Sequence, residues 1–131
     1  MAYLSIINNA TGLKFWPLVP CSRLLWDTAK QISEEINLLK EYLFTYKTSE
    51  TFTIDDGKIC VRILDFPDKM LAVTANRRGM LRNAIFDLSM FGAYENKKCK
   101  ILFENRELIL KNNKIADTFK PYERHIYLIS K

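Results

Sequence analysis

The sequence predicts a mainly β protein, an antiparallel β-sandwich of about eight short strands preceded by one amphipathic helix. Two observations predict this fold. Between residues 22 and 45, apolar residues recur every three or four positions, as on one face of a helix. Beyond residue 47, short segments of alternating apolar and polar residues are separated by turn residues. We therefore divide the chain into an N-terminal segment, residues 1–46, and a β-sandwich domain, residues 47–131.

The predicted helix has a start signal and a continuous apolar stripe. Ser22 is a plausible N-cap, because a serine oxygen can accept a hydrogen bond from an unpaired amide of the first turn. The stripe must face something apolar, and its members are candidate packing or interface residues: Leu25, Ala29, Ile32, Ile36, Leu39 and Leu43. Left uncovered, such a stripe would favour self-association.

The predicted strands are bounded by turn residues. Asp55-Asp56-Gly57 is a hairpin signal, and Asn105-Arg106 and Asn112-Asn113 suit two-residue loops, since asparagine tolerates left-handed backbone geometry. Residues 80–88 fit both helical and strand periods, and their neighbours favour a strand. The predicted strands are residues 51–54, 58–64, 70–75, 80–88, 100–104, 107–111, 114–119 and 125–129.

Charge and composition narrow the function classes. Twenty Lys and Arg against fifteen Asp and Glu give a net charge of +5, but acids are interleaved with the short basic groups. A small basic nucleic-acid-binding protein, with residues 79–92 as a second helix, is therefore the less favoured alternative. No apolar run is long enough for a membrane span, and the first nine residues lack the features of a signal peptide, so we expect a cytoplasmic protein. The three cysteines are expected to be reduced and buried: Cys21, Cys60 and Cys99.

No catalytic, cofactor-binding or metal-binding motif is present in the sequence, and no cofactor is predicted. His125 is the single histidine, and a lone histidine in a strand is more often a packed or surface residue than a general base. Glu34 and Glu35 are adjacent on the helix, so they point in different directions. The aromatic residues that could stack on sugars or bases, but more often fill cores, are Trp16, Trp26, Tyr94 and Tyr122.

Residues 101–127 resemble the closing segment of many retaining glycoside hydrolases with a (β/α)₈ barrel. In those proteins a C-terminal β-sandwich ends in a pattern like E-x-R, a short strand, and D-x-F-x-P-Y-x-x-H-x-Y. Residues 69–76 resemble a sandwich strand that often reads LLAVN, and residues 26–43 are similar to the last barrel helix. The residues that match the closing pattern are Glu104, Arg106, Asp117, Phe119, Pro121, Tyr122, His125 and Tyr127.

The resemblance implies a non-catalytic accessory β-sandwich that packs against a catalytic barrel in carbohydrate hydrolysis. A complete barrel takes about 250 residues, more than the 131 here, and the family's acid and nucleophile glutamates lie on barrel strands. The implied partner is that barrel, or a second copy bound through the helix stripe. The alternative is a stand-alone carbohydrate- or protein-binding module. Tyr122 and Tyr127 are expected to be packing residues, because alternation buries one side of each strand.

Overall fold

The computed structural model describes residues 1–14 and 22–131, and two residues singled out above, Trp16 and Cys21, lie outside this part of the chain. Within the described part, two α-helices precede eight strands, and a 3₁₀ turn, Ser89–Phe91, follows the fourth strand. The helices are α1 (Ala2–Ile7) and α2 (Arg23–Thr45). The strands are β1 (Thr48–Ile54), β2 (Ile59–Asp65), β3 (Lys69–Asn76), β4 (Arg82–Asp87), β5 (Lys98–Ile101), β6 (Arg106–Ile109), β7 (Lys114–Phe119) and β8 (Arg124–Ser130).

The strands form two antiparallel sheets, which confirms the predicted fold class. The larger sheet has six strands in the order β1-β2-β3-β8-β5-β6, and the smaller sheet is the ribbon β4-β7. The last strand, β8, lies between β3 and β5, with Val73 opposite Ile126 and Cys99 opposite Ile129. The C-terminal strand therefore pairs with two strands from earlier in the chain.

Both faces of the large sheet are covered, because its central strands are apolar at successive positions. On one face, residues such as Val61 and Ala72 pack against the ribbon, which contributes Phe86 and Phe119. On the other face, residues such as Val73 pack against the helices. Strands that are buried on both faces are expected to read as apolar runs, as β2 and β3 do.

The start of α2 and part of its stripe agree with the sequence analysis. Ser22 is the N-cap, and its Oγ accepts a hydrogen bond of 3.2 Å from Leu25 N. Over the C-terminal half of the helix the stripe lies on the sheet: Leu39 is only 1% exposed, and Ile36 and Leu43 pack around it. At the N-terminal end the stripe leaves the sheet, so that Leu25 is 49% exposed.

Three local features differ from the prediction or settle an alternative. Helix α1 was not predicted, because six residues are too few to show a periodic pattern. Strand β5 ends at Ile101, and a turn with Phe103 and Asn105 at positive φ occupies residues 102–105, so Arg106 lies in a strand and not in a loop. Residues 79–92 contain β4 and the 3₁₀ turn, so a second long helix there is wrong.

The predicted turns at Asp55-Asp56-Gly57 and at Asn112-Asn113 are confirmed, and all five residues have positive φ. Within the described ranges, neither helix is long and apolar enough to span a bilayer.

Leu39→Ala should lower the free energy of unfolding by about 2–5 kcal/mol, because it removes a fully buried side chain between α2 and the sheet. The control is Leu38→Ala, since Leu38 is 66% exposed and its truncation should change stability by about 0.5 kcal/mol or less. Urea denaturation followed by circular dichroism measures both. Equal effects of the two substitutions would contradict the packing of α2 described above.

Candidate functional site

Five residues of the glycoside-hydrolase-like pattern meet in a partly buried cluster that joins the two sheets. We call this cluster the charge network, and its members are Glu104, Arg106, Asp117, His125 and Tyr127. Asp117 comes from the ribbon strand β7, whereas the others come from β6, β8 and the turn before β6. His125 and Tyr127 are two positions apart on β8, so both side chains point to the face that the ribbon covers.

Arg106 is the centre of the charge network. Its guanidinium binds Asp117 in a bidentate manner, with 3.1 Å from Nη1 to Oδ1 and 2.7 Å from Nη2 to Oδ2. Its Nε donates to Glu104 Oε2 at 2.8 Å. His125 Nδ1 lies 2.5 Å from Glu104 Oε1, and Tyr127 Oη donates to Asp117 Oδ2 at 2.8 Å. One arginine therefore holds two carboxylates, each of which binds a side chain of β8.

Burial and charge shift the pKa values in this cluster. Burial opposes ionisation of Asp117, but hydrogen bonds from Arg106, Tyr127 and the Thr118 amide outweigh it, and the pKa of Asp117 lies below its usual value. Burial raises the pKa of Tyr127, and the neighbouring Asp117 carboxylate raises it further. The hydrogen bond to Asp117 raises the pKa of Arg106 despite partial burial. Asp117 and Arg106 therefore form a stable ion pair.

Each carboxylate oxygen of the charge network has a partner within the protein. Both oxygens of Asp117 and both oxygens of Glu104 accept hydrogen bonds or face a cation within the protein. The His125 ring is 2% exposed, and its second nitrogen, Nε2, lies 3.1 Å from the carbonyl oxygen of Thr118. A general acid or base must reach the proton that it transfers. We therefore assign the network a structural role in fastening the ribbon to the large sheet.

A second set of contacts extends the charge network to the helical side of the sheet. Arg124 Nη1 lies 3.5 Å from Glu104 Oε1, and Arg124 Nη2 binds Glu35 Oε1 of α2 at 2.5 Å. Glu35 also accepts hydrogen bonds from Gln31, at 3.0 Å, and from the Tyr3 hydroxyl. Burial, followed by the bond to Glu35, raises the pKa of Tyr3. Charged contacts thus connect both helices, the large sheet and the ribbon.

The other residues of the glycoside-hydrolase-like pattern divide into two groups. Phe119 is buried, and its ring centroid lies 4.5 Å from that of His125. Pro121 and Tyr122 lie on the exposed turn between β7 and β8, away from the network. Tyr127 is a packing residue as expected, but the same expectation is wrong for Tyr122, which is 72% exposed at positive φ. Tyr122 lies in a turn, so the alternation of buried and exposed positions along a strand, which buries Tyr127, does not apply to it.

Arg62 is a buried residue with several bonds that sequence reasoning missed. It is 4% exposed on the helical face of β2. Its Nη1 donates to the Ile6 carbonyl at 2.7 Å, its Nη2 to Asn9 Oδ1 at 2.8 Å, and its Nε to Ser49 Oγ at 3.0 Å. It thereby satisfies a carbonyl at the end of α1. The available signal was a single arginine within the apolar run of β2.

The two cysteines of the described residues are shielded from solvent. Cys60 and Cys99 are buried free thiols, and burial raises the pKa of Cys99 to about 12, which keeps this thiol protonated. Among residues 1–14 and 22–131, no group of three or more His, Cys, Asp and Glu is placed to hold a metal ion.

Helix α2 carries a second set of apolar side chains, which point away from the sheet. Among the described residues nothing buries Leu24 and Leu38, which lie on one side of the helix, and we call this pair the outer face of α2. A helix at the surface of a globular protein usually has one apolar stripe, and a helix that is apolar on more than one side is usually covered on more than one side. The outer face is therefore a candidate interaction surface.

No protein-family model and no curated protein sequence matches this chain. Solved structures of glycoside hydrolases do match it. The structure of AmyP in complex with maltose is 12% identical, with a TM-score of 0.67, over 84% of this chain and 22% of that chain. An Anoxybacillus α-amylase is 13% identical, with a TM-score of 0.63, over 83% and 23%. Trehalose-6-phosphate hydrolase from Bacillus licheniformis is 24% identical, with a TM-score of 0.50, over 72% and 17%.

The structural matches confirm, at the level of the fold, the resemblance to the C-terminal region of glycoside hydrolases. The chain spans about a fifth of the length of the matched proteins. At identities of 12–24% the likeness concerns the fold.

Asp117→Asn should lower the free energy of unfolding at pH 7 by about 1–3 kcal/mol, because it removes the carboxylate that binds Arg106. A carboxyl with a lowered pKa stabilises the fold above its unfolded pKa, about 3.9, and this contribution disappears as pH falls through the folded pKa. The wild-type chain should therefore lose more stability than the variant between about pH 4 and pH 2. Denaturant titrations across this pH range measure the difference.

The control for this prediction is Glu107→Gln, which makes the same change of charge at an exposed position of β6. It should leave both the stability at pH 7 and its acid dependence close to those of the wild type. If Asp117→Asn behaves like this control, the network does not stabilise the fold.

Proposed function

We propose that the chain is a non-catalytic accessory domain of the glycoside hydrolase type, which packs against a catalytic barrel and stabilises it in carbohydrate hydrolysis. The observation that carries the proposal is the outer face of α2. This helix covers the large sheet with one side and presents Leu24 and Leu38 on another. A (β/α)₈ barrel has an outer ring of helices, against which such a face can pack.

The fold and the charge network support the same proposal. The glycoside hydrolases that match the fold are nearly four times as long as this chain, so they contain other regions beside the matching part. Within the chain, the one cluster that gathers Glu, Asp and His is closed by internal hydrogen bonds. An accessory domain needs a stably folded sandwich and an apolar surface that can pack against another domain.

Without a barrel to cover it, the outer face of α2 should cause the isolated chain to self-associate. We expect light scattering to give a mass above the 15.4 kDa of one chain at protein concentrations of about 100 μM, and close to it on dilution. The double variant Leu24→Glu, Leu38→Glu should remain monomeric, because both side chains are exposed on the same side of the helix.

The matched control is Met80→Glu, Ile85→Glu, which places the same charges at apolar positions of similar exposure on the sandwich. This control should associate as the wild type does. A wild-type chain that stays monomeric, or a control that abolishes association as well as the helix variant does, would contradict the proposal.

A second candidate, a carbohydrate-binding module, is favoured by the position of Tyr122. Its ring is 72% exposed, and it borders a cavity of about 330 Å³ together with polar residues such as Gln31 and Glu123. The ring also contacts Gly79, where an added Cβ would lie 3.1 Å from the tyrosine hydroxyl. Exposed aromatic rings beside polar groups can stack on the apolar faces of sugars.

Isothermal titration with maltose and maltotriose separates the two candidates. The module predicts saturable binding that Tyr122→Ala abolishes and that the control Tyr46→Phe, on the other side of α2, leaves unchanged. The accessory domain predicts no saturable binding at about 10 mM sugar, a concentration at which a weak site with a millimolar dissociation constant would be occupied. Saturable binding that depends on Tyr122 would establish the module.

A further inference from the structure

A long groove runs beside α2, on the side where Arg62 of β2 lies. Its volume is about 1110 Å³, and its walls are α2 and the chain between Asn9 and Lys14. Helix α2 contributes lining residues from Leu25 to Phe44, which corresponds to a length of about 28 Å at 1.5 Å per residue. The groove is therefore about as long as a helix of five turns.

The lining of the groove is apolar along its length. On α2, Trp26 and Phe44 stand at its two ends, five helical turns apart on the same side of the helix, with Ile36 and Leu43 between them. Leu13 lies on the opposite wall. An amphipathic helix binds such a groove through apolar side chains at spacings of three and four residues.

The charges around the groove are mostly positive. Among the described lining residues four are basic, Lys14, Lys30, Lys40 and Arg62, and one is acidic, Glu34, which lies 4.0 Å from Lys30 Nζ. Arg62 contributes a charge that is nine-tenths buried and bonded to neutral acceptors of Ile6, Asn9 and Ser49, and no ion pair joins it to a carboxylate of the described chain. A buried cation without an anion is costly, and an acidic partner lowers that cost.

We propose that this groove docks an amphipathic helix with an acidic polar face, supplied by a partner protein. The inference rests on the proposed accessory role in one respect, since a barrel surrounded by helices is a partner that carries such an element. The apolar side of the docked helix would lie between Trp26 and Phe44. Its acidic residues would lie near Lys30, Lys40 and Arg62.

Two synthetic peptides of about 20 residues test the groove, both helical and with the same apolar residues at spacings of three and four. One has glutamate at its polar positions, and the other has lysine. Fluorescence anisotropy of the labelled peptides, titrated with the full chain, should show saturable binding of the acidic peptide, at least about tenfold tighter than that of the basic peptide, and weaker at higher salt.

Two variants assign the binding to the groove. Lys40→Glu should weaken binding of the acidic peptide about threefold, whereas Lys98→Glu, the same charge reversal on β5, should leave it unchanged. Trp26→Ala should weaken binding of both peptides, and the control Met80→Ala should weaken neither. Circular dichroism checks that each variant is folded.

No saturable binding of the acidic peptide, equal affinity for the two peptides, or equal effects of Lys40→Glu and Lys98→Glu would each overturn the inference. These outcomes are independent of the light-scattering result, which concerns Leu24 and Leu38 on a different side of α2. If the chain is monomeric and binds the acidic peptide, the proposed accessory role is contradicted and the inference about the groove is supported. If the chain self-associates and binds neither peptide, the accessory role is supported and the inference about the groove is contradicted.

Discussion

The large sheet requires cover on both of its faces, and the rest of the molecule is arranged to meet this requirement. Strands β2, β3 and β8 present apolar side chains at successive positions, so neither face can be left in water. Burying one large apolar side chain stabilises the folded state by about 1.5–3 kcal/mol, and both faces of the sheet contribute in this way. The ribbon β4-β7 covers one face, and α1 and α2 cover the other. The helices thus precede the sheet in the sequence and are part of the folded core.

Apolar packing alone does not determine where the ribbon and the helices lie on the large sheet. The charged contacts fix their positions. Arg106 holds the ribbon to the edge of the sheet through Asp117, and Arg124 holds α2 through Glu35. Glu104 contacts both arginines, so the two attachments share one carboxylate. Directional hydrogen bonds of charged groups tolerate little displacement, unlike apolar contacts. The sandwich and its helical cover are therefore positioned relative to each other by a small number of groups.

Much of this fold could be predicted from the sequence because its signals are local. Ser22 marks the start of α2, the paired turn residues mark two hairpins, and the alternation of β7 and β8 reflects burial. Local signals do not extend to α1, whose six residues are held by the sheet, or to the turn at Phe103, because a phenylalanine gives no indication of a left-handed backbone. The pairing of β4 with β7 and the meeting of Arg106 with Asp117 depend on the complete topology. The residues of the charge network were identified through a family resemblance, whereas their mutual contacts required the three-dimensional structure.

The shared carboxylate of Glu104 has a consequence for how this protein can change over generations. Each of its two oxygens serves a different cation, and each of those cations belongs to a separate interface. Replacement of Glu104 would weaken both interfaces at once, because Arg106 would keep only Asp117, and Arg124 only Glu35, as a carboxylate partner. Substitutions in this chain should consequently accumulate first in the solvent-exposed loops. Glu104 and the residues that it contacts should be among the last positions to change.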